Sequence, residues 1–300
     1  MAQTQAGSVS LATAELELVK PRSRRREFTN SLVKNKGALI GLIILLILIL
    51  AALSAPLITR YDPIEIDPPS RLLSPNRQHW FGTDVFGRDI YTRVIYGARI
   101  SLPVGLIAVA ISAIIGTTLG MIGGYYGKLV DGIIMRIVDI MLAFPNIMLA
   151  LVVVAILGPN IRNVMIAVGI GGIPQYTRLV RGSVLSAREL LYVEAARVVG
   201  VPEMKILFRH VLPNVIGPSV VLSTLSVGTA ILAAAGLSFL GLGAQPPEPE
   251  WGSMLADGRR FLNTHWWVTT MPGVAIAITV LAVNMFGDGL RDILDPRLRT

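Results

Sequence analysis

The residues whose types and spacing point to chemistry lie in Glu194-Ala195-Ala196-Arg197-Val198-Val199-Gly200, with Pro202-Glu203 just after and Leu212-Pro213-Asn214 further along. On the residues alone, Glu194 and Arg197 are two charges of an amphipathic connector that pair at i, i+3, which contributes only a few tenths of a kcal/mol. Gly200 can take the left-handed conformation that ends a helix. Pro202 suits the first turn of a second helix, where its missing N–H costs nothing, and Glu203 then meets the positive end of that helix's dipole. Leu212-Pro213-Asn214 is expected to end this short helix and lead into a longer one.

Catalytic patterns do not assemble. The chain has no cysteine, so thiolate nucleophiles, disulfides and cysteine metal sites are excluded. His79, His210 and His265 show no metal-ligand spacing, and neither a metal nor a cofactor is expected on the chain. Gly127-Lys128 is followed by Leu129 and lacks the earlier glycine of a phosphate-binding loop, so the chain is not a conventional ATPase. Gly236-Leu237-Ser238-Phe239 has a serine without the glycine that would follow it in a serine hydrolase. Arg136 and Asp139 stand at i, i+3 in an apolar stretch, and ionisable residues in that setting are functional candidates. Their mutual pairing, with Arg136 reaching toward the inner surface, is the favoured reading, and a place in a translocation path is the alternative.

The elements that must position these residues are apolar helices. Of 300 residues, 53% are hydrophobic and 15% charged, a balance foreign to a water-soluble domain of this size. Stretches without Asp, Glu, Lys or Arg run 37–59, 100–127, 140–161, 210–247 and 261–287, with a shorter one at 163–177. Crossing the hydrocarbon core takes roughly 20 residues, so the expectation is an all-α polytopic membrane protein. It has six spans, at about 37–59, 100–123, 134–157, 163–179, 215–241 and 268–287. The first is too long for a cleaved signal and reads as a retained anchor. Seventeen of the 27 Lys and Arg then fall inside and eight outside, which places both termini in the cytoplasm. This also accounts for the +8 net charge without nucleic acid.

Residues 1–36 form a cytoplasmic tail, of which 1–20 read as disordered. External loops cover 60–98 and 242–267. Ile90, Val94 and Ile95, with Arg88, Thr92 and Arg93 between them, suggest a helix lying along the interface, and Trp266 and Trp267 suggest headgroup anchors where span six enters. Pro145 and Pro174 are placed to kink spans three and four. Between spans four and five, Val184, Ala187, Leu191, Ala195 and Val198 fall on one helical stripe, with Arg188, Glu189, Glu194 and Arg197 opposite. Residues 183–214 therefore read as a cytoplasmic helix-turn-helix.

That loop resembles the hallmark of the permease subunits of ABC-type importers, a Glu-Ala-Ala, three residues, Gly pattern. Gly82-Thr83-Asp84 with Gly87-Arg88-Asp89, Gly97-Ala98-Arg99-Ile100-Ser101-Leu102, Met135-Arg136-Ile137-Val138-Asp139 and Gly287-Asp288-Gly289-Leu290-Arg291-Asp292 with Asp295-Pro296 are similar to the dipeptide and oligopeptide C-type permeases. Ala244-Gln245-Pro246-Pro247 leans to the dipeptide branch; nickel and glutathione importers share much of the pattern. The resemblance implies the type I importer permease fold in a bacterial inner membrane. It implies a second, homologous permease, two ATPase subunits carrying ATP and Mg, and an extracytoplasmic binding protein. Glu194, Ala195, Ala196, Arg197, Gly200, Pro202, Glu203, Pro213 and Asn214 would meet the ATPase. The competing class, an ion-coupled secondary transporter, calls for internal repeats or a proton relay, and the chain shows neither beyond Asp139.

Overall fold

The computed structural model describes Val33 and residues 35–294, so the expectations for residues 1–20 and for the extreme C-terminus lie outside the described residues. The described chain is all-α, and its only β pairing is an isolated bridge between Thr83 and Asp89. The helices are α1 (Lys36–Leu53), α2 (Ala55–Ile58), α3 (Ile90–Tyr126), α4 (Lys128–Leu142), α5 (Asn146–Leu157), α6 (Ile161–Ala187), α7 (Leu191–Val198), α8 (Glu203–Lys205), α9 (Leu212–Phe239), α10 (Trp251–Gly258) and α11 (Trp267–Leu294). Four helices are long and apolar enough to cross a bilayer: α1, α3, the unbroken run Glu203–Phe239 and α11. The predicted third span is broken instead of straight. α4 and α5 meet at 93°, because Pro145 cannot continue a helix and opens α5 in an extended conformation. The predicted fourth span is part of α6, whose 27 residues reach roughly 40 Å.

Glycine sets the closest helix crossing. Gly116, Gly120 and Gly124 recur every four residues on α3, and a Cβ at each would lie 2.5 Å from Tyr176 Cβ, 2.6 Å from the Thr177 carbonyl and 2.9 Å from the Arg181 carbonyl of α6. Apolar burial between helices drives little in lipid, so backbone proximity of this kind supplies much of the association. α1 is tied to α11 in a related way. Gly41 abuts the Ala282 carbonyl, while Asn35 caps α1 through Ala38 N–H and donates to Asp292 at 3.2 Å.

The expected interfacial helix does not exist separately. Ile90 opens α3, which continues without a break for 37 residues, and Thr92 and Arg93 are buried, not at a headgroup surface. They are buried because the 59–89 loop, α10 and the start of α11 close over this end. Trp251 and Trp267 pack here with Ile90 and Val94, and the Trp267 indole donates to the Thr83 carbonyl. Trp267 is buried here, so of the two expected anchors Trp266 alone is half exposed.

Candidate coupling loop and membrane cavity

α6 ends at Ala187 and Leu190 is extended, so the stripe predicted from Val184 to Val198 is cut in two. The break changes the helix phase. Val184 and Ala187 are buried, whereas Leu191 and Val198 are 81% and 82% exposed. Val193 instead points into the protein, packing with Ile206, Leu207 and Val211, with Tyr192 and Ala196 at the margin. α7 closes in a Schellman turn: Val201 N–H donates to the Ala196 carbonyl and Gly200 N–H to that of Arg197, with Gly200 at φ 79°. Pro202 sits one position earlier than expected, as the extended residue before α8. Its carbonyl accepts from Lys205 and Ile206.

The second helix does not stop at Leu212-Pro213-Asn214. Residues 206–211 widen into a π-helical turn that runs directly into α9. A proline in a regular helix strands the carbonyl four residues back, and the wide turn absorbs this defect. Asn214 then donates to the His210 carbonyl at 2.6 Å. The result is a surface of Leu190, Leu191, Val198, Val199, Met204 and Phe208, each about half or more exposed. Glu194, Ala195 and Gly200 lie exposed on the same loop.

Arg197 does not pair with Glu194. Its Nε donates to Glu203 at 3.0 Å and a terminal nitrogen reaches the Tyr125 hydroxyl at 3.4 Å, while the guanidinium lies over the Tyr125 ring. Hydrogen bonds to Tyr125 and then to Glu203 hold the Arg197 cation more firmly protonated than usual. Tyr125 also donates to Glu203, and Arg188 donates to the Gly124 carbonyl at 3.0 Å. The loop is thus tied to the last turn of α3. Sequence reasoning missed Tyr125, although the glycine row leading to it on α3 was a readable sign of close packing there.

Arg136 and Asp139 do not form the expected pair. Asp139 binds Arg178 of α6 at 2.6 Å, and Asp131 binds Arg181 with both oxygens at 2.5 and 2.6 Å. Two antiparallel helices in contact present facing charges, and these outcompete an i, i+3 partner 60° around the same helix. Higher up, α3, α5, α6 and α9 enclose a cavity of about 130 Å³. Ser112, Asn146, Gln175, Tyr176, Ser226 and Thr229 give it a polar lining inside otherwise apolar helices.

A family model described as "binding-protein-dependent transport system inner membrane component" matches residues 116–300, and one for the N-terminal TM domain of oligopeptide transport permease C matches 23–75. The chain belongs to this family of ABC importer permeases. A dipeptide transport system permease protein, DppC, of Alkalihalophilus pseudofirmus is 53% identical over 92% of this chain and 90% of its own length. A glutathione transport system permease protein, GsiD, of Pectobacterium atrosepticum is 45% identical over 96% and 97%. Among solved structures, a chain of the inward-facing MetNI methionine ABC transporter superposes with a TM-score of 0.53 at 19% identity. The match covers 68% of this permease and 97% of that chain, and it supports the permease fold alone. A permease of this family is a transport component and not itself an enzyme.

Proposed function

We propose that this permease forms half of the membrane path of an ATP-driven importer of di- and oligopeptides in the bacterial inner membrane. Six spans cross, both termini face the cytoplasm, and a second, homologous permease completes the path. Two separate ATPase subunits, carrying ATP and Mg, dock on Glu194, Ala195, Ala196, Arg197, Gly200, Pro202, Glu203, Pro213 and Asn214. A binding protein delivers cargo outside. The observation that carries the reading is the apolar face of α7 and α8, left uncovered by the chain's own packing and held in place from below by Tyr125. An exposed patch of this kind marks a partner surface. Closure of the ATPases would move this surface and, through Tyr125, α3, so that nucleotide favours one arrangement of the helices by differential binding.

Reconstitution with the partner subunits tests the cargo. Dipeptide is expected to accumulate and to stimulate ATP hydrolysis. Accumulation of nickel alone would overturn the peptide assignment. Glutathione is the second reading, favoured by the 45% identity to the glutathione permease, and its transport in preference to dipeptides would select it.

Tyr125→Phe separates linkage from folding, because the ring stays in its cluster and only the hydroxyl is lost. Stability should fall by about 1 kcal/mol. The number of ATP molecules hydrolysed per peptide imported should rise several-fold. An unchanged ratio would show that Tyr125 only packs.

A further inference from the structure

At the end of α9 opposite the coupling loop, a groove of about 510 Å³ opens between residues 239–241, residues 256–261 and the loop around Val85. Arg71, Arg259 and Arg260 stand on it, all exposed. Among the described residues none of the three lies within ion-pair distance of a carboxylate. Arg71 spends its Nε on the Val85 carbonyl at 2.8 Å, which fixes the side chain and leaves its terminal nitrogens for another acceptor. One carboxylate faces the same space. Asp257 is 34% exposed and only loosely held, 3.4 Å from Arg88, and burial raises its pKa above the ordinary aspartate value. Phe239 and Phe261 supply apolar wall.

The groove lies at the end of the same helix that lines the membrane cavity. Ser226, Thr229, Ala233 and Leu237 of α9 line the cavity, and Leu240 and Gly241 line the groove. Steps of three, four and four residues keep Ser226, Thr229, Ala233 and Leu237 on one side of α9, and the chain leaves the helix at Leu240 beside the groove.

We propose that this groove is an outer receiving site for a short peptide with free termini. The C-terminal carboxylate is taken by Arg259 and Arg260 with Arg71, the ammonium by Asp257, and an apolar side chain rests on Phe239 and Phe261. Guanidinium forks match carboxylates in two-point contacts, and the volume lies in the usual range for small-molecule sites, about 300–1,000 Å³. Asp257 beside the three arginines gives the groove a contact for each end of one peptide, and an acidic protein surface or an anionic lipid headgroup would leave that carboxylate unmatched. Such a site must also be weak enough to release its occupant inward.

The inference rests on the peptide-import reading, and the test separates the two. Proteoliposomes holding the complete importer receive saturating, peptide-loaded binding protein, so that the binding protein's own preference drops out. Transport rates are compared for a dipeptide and its C-terminal amide. Wild type should move the acid about tenfold faster, the equivalent of about 1.4 kcal/mol. R259Q/R260Q should bring the two rates together by slowing only the acid, and R259K/R260K should restore most of the difference. Equal slowing of both peptides, or no slowing of either, would overturn the site while leaving peptide import intact. A wild-type complex that moves neither peptide would overturn the import reading and this site with it.

Discussion

A Gly200→Asp permease is expected to reach the membrane and fold at near wild-type level, yet to lose most peptide uptake while its ATPase partners continue to hydrolyse ATP. Gly200 sits at φ 79°, and a Cβ built there meets no atom of the chain within 4 Å. Aspartate is among the few residues that visit the left-handed region, so the local cost is about 1 kcal/mol. Val198 and Val199, immediately before Gly200, are 82% and 81% exposed. A carboxylate placed there must be desolvated for an apolar partner to dock. Disrupting a central contact of this kind typically costs 2 kcal/mol or more, about thirtyfold in affinity. Uptake, ATP hydrolysis and co-purification of the ATPase subunits, measured together, check it. Normal uptake would show that the partner does not cover Gly200.

Why the sequence reading held in some places and failed in others follows from what each pattern encodes. Gly200, the two-helix loop and the apolar helices were legible because backbone conformation and hydropathy are local properties. The stripe from Val184 to Val198 was not. Periodicity reports that a helix has an apolar side, but not whether the chain or a partner covers it, and a single extended residue at Leu190 turned α7 the other way. The helix end expected at Leu212-Pro213-Asn214 failed for a similar reason, since a π-turn leaves no simple spacing signature. Asp139 chose Arg178 over Arg136 because its partner lies across a helix crossing 39 residues away. The six-span count went further than the described helices, where four qualify outright and the bent α4–α5 pair makes a fifth. α6 carries Arg162, Arg178 and Arg181 and does not qualify by length and composition.

The paired motifs Gly82-Thr83-Asp84 and Gly87-Arg88-Asp89 were visible only as a likeness, and their physical role leads to the largest stability effect. Asp84 is 5% exposed and accepts from Arg88 Nε at 2.7 Å and from the Phe86 and Arg88 amides. It also faces Arg93 at 3.6 Å. Among the described residues Asp84 is the one carboxylate within ion-pair distance of the buried Arg93. Beside it, Asp89 caps α3 through Thr92 N–H and binds His79 at 2.9 Å. Asp84→Ala therefore leaves two buried guanidiniums with Asp257, 3.4 Å from Arg88, as the remaining carboxylate, and with the Pro63 and Pro247 carbonyls that Arg93 reaches at 2.7 and 3.4 Å. Removing one partner of a buried pair costs about 3–5 kcal/mol, more than removing both. Thermal unfolding of the purified permease should show a large destabilisation for Asp84→Ala and a smaller one for Asp84→Ala with Arg88→Leu, since the second change removes one stranded charge. Were the double variant the less stable of the two, the cost would lie in lost loop packing instead of uncompensated charge. Because this cluster joins the 59–89 loop to the first turn of α3, whose other end carries Tyr125, its loss should also loosen that loop from the helix to which Arg197 and Glu203 are tied.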